Sequence, residues 1–492
     1  MASDTSKNNK KKVKEKNKKF MLTSFSILFL LIIALAILTH FLPVATFSGK
    51  VLNNGSGVVP AKLSDVLMSP VLGFKDAIEV GIFIFILGGF LAIVSKTGAL
   101  ETGIKVLVKK LKGKELLLIP ILMFIFSVGG TTYGMLEETV GFYALLAATM
   151  VVAGMDTIVA SAIVLLGAGS GVLGSTINPF AVGVAVDSLP NGIVANQGAI
   201  ILIGVFLWLT SLIISIIFVM NYAKKVKKDK GSTFLSLQEQ KIMEERYGKE
   251  ETTKEKKEVK LSSKQKFTLI LFAITFVVMI IGFIPWEDFG ITLFSKTGIL
   301  SGTPLGKWYF NESSMWFFIM TIIIAIVNRI GEKETASTFV SGAADMMSVV
   351  LIIAVARGVS ILMGVTHLDN YIIYNAADAL KNVSAGLFAP LSYLLHIVLS
   401  ILVPSSSGLA TLSTPIMGSL ANTLGYSVEA TIMSIVASNG LVNLITPTCG
   451  AIMGGLALAG VEYSTWFKWS LKVVLTIEIV SMIILTLAMV LL

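Results

Sequence analysis

Cysteine occurs once, at Cys449, which excludes an intramolecular disulfide and any cysteine-rich metal site. Histidine is almost as scarce. His40, His367 and His396 lie far apart in the chain, so neither a histidine metal centre nor a catalytic triad is expected. Charge is also in short supply: Asp, Glu, Lys and Arg together make up 14% of the residues, too few for the surface of a water-soluble domain. The HExxH, GxSxG and Walker patterns are absent, which argues against zinc-protease, α/β-hydrolase and nucleotide-driven pump chemistry. The first apolar run, 20–42, is too long for a signal-peptide core and carries no small-residue cleavage site, so no cleavable leader is expected.

What fills the chain instead is apolar. Of its 492 residues 54% are hydrophobic, and the mean hydropathy is +0.84. Many windows reach the roughly 18 residues needed to cross a hydrocarbon core, so an all-α polytopic membrane protein is expected. The net charge of +9 is concentrated in "KNNKKKVKEKNKK" (7–19) and "AKKVKKDKG" (223–231). Both clusters abut apolar runs, which points to positive-inside topology and anionic lipid rather than nucleic acid.

Spanning segments are read at 20–42, 77–95, 198–222, 266–284, 314–331, 343–364 and 464–490. Two more, 115–150 and 388–424, carry a polar Gly/Ser/Thr tip at mid-length and read as re-entrant hairpins. Another two, 156–187 and 428–459, are too long and too interrupted to be simple helices and read as broken transmembrane helices. The stretch 223–264 alternates in charge and reads as a solvated loop or short helix with no chemistry.

A shift of 268 or 269 residues aligns two halves of the chain. Thr97, Leu100, Glu101 and Ile104 fall on Thr366, Leu368, Asp369 and Ile372, Gly171 on Gly440, and Asn178-Pro179 on Thr446-Pro447. With the basic N-terminus inside, counting spans places Lys96, Lys105, Lys109, Lys110, Lys112 and Lys114 inside, and later Arg329 and Lys333 as well. The first repeat then starts outside and the second inside, with the C-terminus outside. Inverted-topology repeats are a signature of many secondary transporters. The organisation expected is a basic cytoplasmic tail (1–19), a first helix with an external loop (20–76), repeat 1 (77–222), a cytoplasmic loop (223–264), linking helices (265–342) and repeat 2 (343–492).

Non-helical backbone at membrane depth is tolerated only where protein or an aqueous cavity surrounds it. Four such breaks occur: Gly129–Gly134, 169–180, Pro404–Gly408 and 437–451. Pro179 and Pro447 remove donors and bend the chain. The half-helix ends so exposed suit a carboxylate at their N-termini and a cation at their C-termini. The candidate substrate-binding groups are Thr131, Thr132, Ser175, Thr176 and Asn178 on one side, and Ser405, Ser406, Ser407, Asn443, Thr446 and Thr448 on the other. A coupling Na+ would be sought near Gly174, Asn178 and Thr446. The bland alternative for all of these is small-residue packing between membrane helices.

Two acids, Glu137 and Glu138, follow the first tip by one turn, and as helix neighbours they would point about 100° apart. Each has four open roles: structural acid, counter-charge for a cationic substrate, proton carrier or cation ligand. Arg357 is the other charge at membrane depth. It can pair with a glutamate, bind a carboxylate, or snorkel to an interface. Adjacent acids and hydroxyls are also what a membrane-embedded enzyme would show, but without a catalytic motif no catalytic residue is assigned.

At these residues the sequence resembles a known family. "FSVGGTTYGMLEETVGF" (126–142), "STINPFAVGVA" (175–185), "SSSGLATLSTPIMGSLANTLG" (405–425) and "ITPTCGAIMGGLALAGV" (445–461) look like the YfcC-type transporters, grouped with the anaerobic four-carbon dicarboxylate carriers. The resemblance runs from about residue 41 to the C-terminus. It implies scaffold and transport domains, usually a homodimer, a substrate cradled by two opposed hairpins and two broken helices, and elevator-like movement in the plasma membrane. The second tip departs from the family's Ser-Gly-Ser-Gly-Gln pattern with Ser-Ser-Ser-Gly-Leu at 405–409. The family divides between basic amino acids, exchanged against ornithine-like products, and dicarboxylates. Having two acids and one arginine, this chain leans to a basic amino acid, with a C4-dicarboxylate as the alternative. No cofactor is expected, and Na+, H+ and simple exchange remain open as the coupling.

Overall fold

The computed structural model describes residues 24–48, 51–111, 114–248, 260–283 and 286–492. Apart from a two-residue ribbon pairing Phe47–Ser48 with Val51–Leu52, its regular structure is helical. In chain order the helices are α1 (Ser24–Thr39), α2 (Leu63–Asp76), α3 (Ile78–Lys96), α4 (Ala99–Leu111), α5 (Leu118–Tyr133), α6 (Phe142–Val152), α7 (Thr157–Gly174), α8 (Val184–Asp187), α9 (Gln197–Lys228), α10 (Leu237–Tyr247), α11 (Ser263–Phe283) and α12 (Phe310–Asn328). There follow α13 (Glu332–Asp345), α14 (Met347–Thr366), α15 (Leu368–Leu380), α16 (Ala385–Leu402), α17 (Ser406–Leu424), α18 (Val428–Val442), α19 (Gly450–Ala459) and α20 (Tyr463–Leu491). Among the described residues, nine helices are long and apolar enough to cross a membrane. The chain is a multi-pass membrane protein.

Helices recur along the chain. α2, α3 and α4 start at residues 63, 78 and 99, and α13, α14 and α15 start at 332, 347 and 368, each 269 later. The packing is exchanged between the two sets, with α2 lying on α14 and α13 on α3. Glycine makes both crossings. A Cβ on Gly73 would stand 2.3 Å from the Ala354 carbonyl oxygen, and one on Gly342 would stand 2.5 Å from that of Gly88. Backbones this close are how membrane helices gain packing energy without a hydrophobic drive.

α5 and α6 flank the first polar tip, and α16 and α17 the second. α5 is pressed onto α7: a Cβ on Gly130 would meet the Ala168 carbonyl at 2.1 Å, and one on Gly171 the Ser127 carbonyl at 2.0 Å. The interrupted helices α7 and α18 cross where Gly440 abuts Leu173. Every residue of α7 is buried, so it lies wholly inside protein.

Three regions differ from the sequence reading. The amphipathic helices α2 and α13 occupy stretches that have too little apolar length to read as spans. α9 continues past residue 222 to Lys228, because lysines in its last turn complement the helix dipole. The segment read as a solvated loop or short helix does hold a short helix, α10, but it docks on repeat 2 instead of standing in solvent. Within it, Glu239 of α10 is fully buried and accepts from Ser236 N (2.7 Å), Glu462 N (2.8 Å) and Thr465 Oγ1 (3.0 Å). Arg246 and Tyr247 donate to the last carbonyls of α19. The basic stretch 7–19 lies outside the described residues.

Candidate functional site

The first tip forms because Gly134 adopts a left-handed φ of 78° that other residues resist, letting its N–H reach back to the Gly130 carbonyl at 3.1 Å. Leu136 then leaves the helical region, and Glu137–Gly141 forms a 3-10 turn before α6 begins. The two glutamates are therefore not on an α-helix, and the 100° separation expected of them does not hold. Glu137 is half-buried, while the Glu138 side chain lies outside what the structure describes.

The break after α7 is bonded to this tip. Ser175 takes a left-handed φ of 36°, a strained conformation for a residue with a side chain. Its hydroxyl accepts from Asn178 Nδ2 at 3.0 Å, and Asn178 Oδ1 accepts from Phe180 N at 3.0 Å. Thr131 and Thr176 meet hydroxyl to hydroxyl at 3.1 Å, and Thr176 N donates to Thr131 Oγ1 at 3.1 Å. Thr132 donates to the Val128 carbonyl of its own helix. A Cβ at position 134 would stand 2.7 Å from Asn178 Nδ2, so glycine is also required sterically.

The second tip and second break are bonded together in the same manner. Asn439 and Asn443 both donate to the Pro404 carbonyl at 3.1 Å, and Asn443 donates to Asn439 Oδ1 at 2.9 Å. Thr446 and Thr448 pair at 2.8 Å, and Thr448 Oγ1 donates to the Ile401 carbonyl at 2.6 Å. Ser405 caps α17 by accepting from Gly408 N at 3.2 Å. In Asn443, which is 5% exposed, Oδ1 is the one amide atom left without a partner. A buried carbonyl oxygen of this kind costs free energy unless something else satisfies it.

A cavity of about 110 Å³ lies where the two tips, the second break and α14 converge. At about 30 Å³ per water it has room for roughly four waters. Of the residues singled out in the sequence, it gathers Glu137, Arg357, Ser405, Ser406, Ser407, Asn443 and Thr448. It does not gather Thr131, Thr132, Ser175, Thr176, Asn178 or Thr446, whose polar groups are bonded as described above. The sequence reading missed Phe180 and Tyr309, whose rings are tilted with centroids 5.3 Å apart, and Cys449 and Gly450 at the start of α19. Phe180, Cys449 and Gly450 sit inside motifs already quoted, but Tyr309 joins Phe180 only across the fold and gives no local signal. Ser407 also lines a wider, more open cavity of about 670 Å³ with Asn370, Tyr374 and Thr411, so the second tip partitions the two spaces.

The charges in the cavity are few. Arg357 points inward from the middle of α14 instead of snorkelling, with Nη2 3.6 Å from Glu137 Oε1 and Nε 3.9 Å from Asp76 Oδ2. The first turns of α17 and α19, at Ser406–Ser407 and Gly450, bring free N–H groups and positive dipole ends to the same wall. One acid, one guanidinium and two helix N-termini can therefore receive a molecule carrying both a carboxylate and a cation. The residues named for a coupling cation are otherwise occupied. Gly174 is packed on Trp208, Asn178 is bonded at both amide atoms, and Thr446 is bonded to Thr448. Among the described residues no three His, Cys, Asp or Glu side chains cluster as metal ligands.

Comparison with known proteins gives consistent results. The profile of the family described as "C4-dicarboxylate anaerobic carrier" (DcuC) matches residues 21–490. An uncharacterized Haemophilus influenzae protein is 29% identical over 427 residues, 86% of this chain and 78% of that one. The Escherichia coli protein named "Putative basic amino acid antiporter YfcC" is 27% identical over 413 residues, 80% of this chain and 75% of that one. Two solved structures align over 95% of the chain: Neisseria gonorrhoeae MtrF (17% identity, TM-score 0.43, 95% of that chain) and the Alcanivorax borkumensis YdaH transporter (15% identity, TM-score 0.43, 98% of that chain).

Proposed function

The chain belongs to the C4-dicarboxylate anaerobic carrier family of membrane transporters, and from that premise we propose that it is a secondary active transporter of a small metabolite bearing both a carboxylate and a cation, best represented by a basic amino acid. It is a transporter and not an enzyme, as its family and named relative are. One observation carries the reading of the substrate: a single cavity holds two helix N-termini on one wall and Glu137 on another. The N-termini suit the α-carboxylate and Glu137 the side-chain cation. The relative's name supports the same class.

Arg357 in the same cavity supports a second reading, a C4-dicarboxylate held between Arg357 and the helix N-termini, in line with the family's description. We rank it lower because Glu137, 3.6 Å from the guanidinium, already offsets that charge. Movement is elevator-like: the two hairpins with α7 and α18 carry the substrate past α2, α3, α13 and α14. The working unit is a homodimer in the plasma membrane, driven by exchange or by Na+ or H+. The test is counterflow in proteoliposomes. Internal ornithine should accelerate uptake of labelled arginine, with malate and succinate inert. Arginine that neither exchanges nor competes, alongside rapid malate or succinate exchange, overturns the reading in favour of the second.

A further inference from the structure

We propose that Asp76 is a specificity-determining positioning residue, the alternative resting place of Arg357 when a substrate cation takes Glu137. The inference rests on the basic-amino-acid reading above. Arg357 stands between two carboxylates, its Nη2 edge 3.6 Å from Glu137 and its Nε edge 3.9 Å from Asp76. Charge-assisted hydrogen bonds close to about 2.7–2.9 Å, so Arg357 is fully engaged with neither acid. A small rotation of its stem closes one contact and opens the other. Glu137 lines the cavity and Asp76 does not, so only one of the two positions competes with substrate.

The fold holds Asp76 where this exchange needs it. Gly73, one turn before it on α2, packs backbone to backbone on α14, where its Cβ would stand 2.3 Å from the Ala354 carbonyl and 2.5 Å from Gly358 N. Asp76 is therefore fixed relative to Arg357 even though its own side chain is half exposed. The repeat sharpens the point. The 269-residue shift places Asp76 on Asp345, but it places Gly88 on Arg357, so the guanidinium is an addition peculiar to one half.

Charge counting gives the direction. Asp76, Glu137 and Arg357 sum to a net −1. A basic side chain brings the cluster to neutrality, whereas a dicarboxylate adds two further negative charges. Without Asp76, Glu137 is the one acid left beside Arg357 among the described side chains, and the substrate cation must displace the guanidinium from it with no second described carboxylate to receive it. Coupling of this kind between two sites shows as a shift in apparent affinity.

The experiment compares arginine with citrulline, its uncharged isostere, in proteoliposomes of the full-length protein. Asp76→Asn is expected to raise the KM for arginine by about tenfold with citrulline uptake unmoved. Asp76→Glu should stay close to the parent. Adding Arg357→Gln to Asp76→Asn removes the competitor and should restore the arginine KM. An arginine KM unchanged in Asp76→Asn, or a double variant no better than the single, overturns the inference, and a merely structural Asp76 would not be rescued by Arg357→Gln. Glu137→Gln measured in parallel separates the two levels. If it leaves the arginine KM unchanged, the substrate reading itself fails. If it raises that KM and Asp76→Asn does not, only the role of Asp76 fails.

Discussion

Replacing Glu137 with glutamine keeps the shape of the cavity wall and removes the one acid among its described lining residues. The Arg357 guanidinium marks where a substrate cation would stand, 3.6 Å from the carboxylate. At an effective dielectric near 20, unit charges at that distance attract by about 4.6 kcal/mol. The two side chains keep 26% and 32% of their exposure, and the contact is longer than a closed charge-assisted bond. Water screening therefore brings the figure down to about 2 kcal/mol, within the range for hydrogen bonds to charged groups. That corresponds to about a thirtyfold rise in the KM for arginine. Freed from its partner, Arg357 should at the same time strengthen competition by malate. The assay is initial-rate uptake of labelled arginine into proteoliposomes, with malate as competitor. An arginine KM within threefold of the parent, at unchanged malate competition, refutes the placement of the cation at Glu137.

Two further predictions concern the scaffold. Gly171→Ala puts a methyl 2.0 Å from the Ser127 carbonyl, backbone that cannot yield, so the detergent-solubilised Tm should fall by an amount corresponding to about 1–3 kcal/mol or more, whereas Gly183→Ala, with its nearest atom at 3.6 Å, should be nearly silent. An unchanged Tm for Gly171→Ala contradicts the packing of α5 on α7. At the start of α20, burial and the buried Glu239 carboxylate raise the Glu462 pKa above its ordinary 4.5. The folded state then holds this proton more tightly than the unfolded chain, so Glu462 costs stability as pH rises from 4.5 through the raised value and by a constant amount above it. Glu462→Gln should thus raise Tm at neutral pH with the gain vanishing toward pH 4.5, and a gain that is constant or larger in acid contradicts the assignment.

Much of the architecture was legible because membrane depth leaves few options. Long apolar windows must be helices, and a Gly/Ser/Thr/Pro interruption inside one must be buried or wet. That logic found the tips at Gly134 and Pro404 and the breaks at Ser175 and Asn443. It missed α2 and α13 because "LSDVLMSPVLGFKD" and "EKETASTFVSGAAD" are short or half polar, and their stability comes from glycine crossings with partners hundreds of residues away. It allowed a short helix after α9 but misread it as solvated, because Glu239 looks exposed in the sequence and becomes buried only on meeting the start of α20. In the cavity, Glu137 and Arg357 stood out as charges in apolar surroundings. Phe180 and Tyr309 did not, nor did Asp76 behind Arg357, since aromatics and helix-end acids are common and only the tertiary crossing brings them to the cavity and to the guanidinium.

Whether the cavity between the two polar tips is the transport site is tested most directly with a cysteine placed on its wall, Ser406→Cys, in a Cys449→Ser background that removes the one, buried, native cysteine. Alkylation of the introduced thiol by a small maleimide can be followed in purified protein. Substrate seated between Glu137 and the first turns of α17 and α19 should slow the reaction saturably, with arginine and ornithine protecting at concentrations near their transport KM and malate not. Alkylation indifferent to arginine in a preparation that transports arginine would contradict the account.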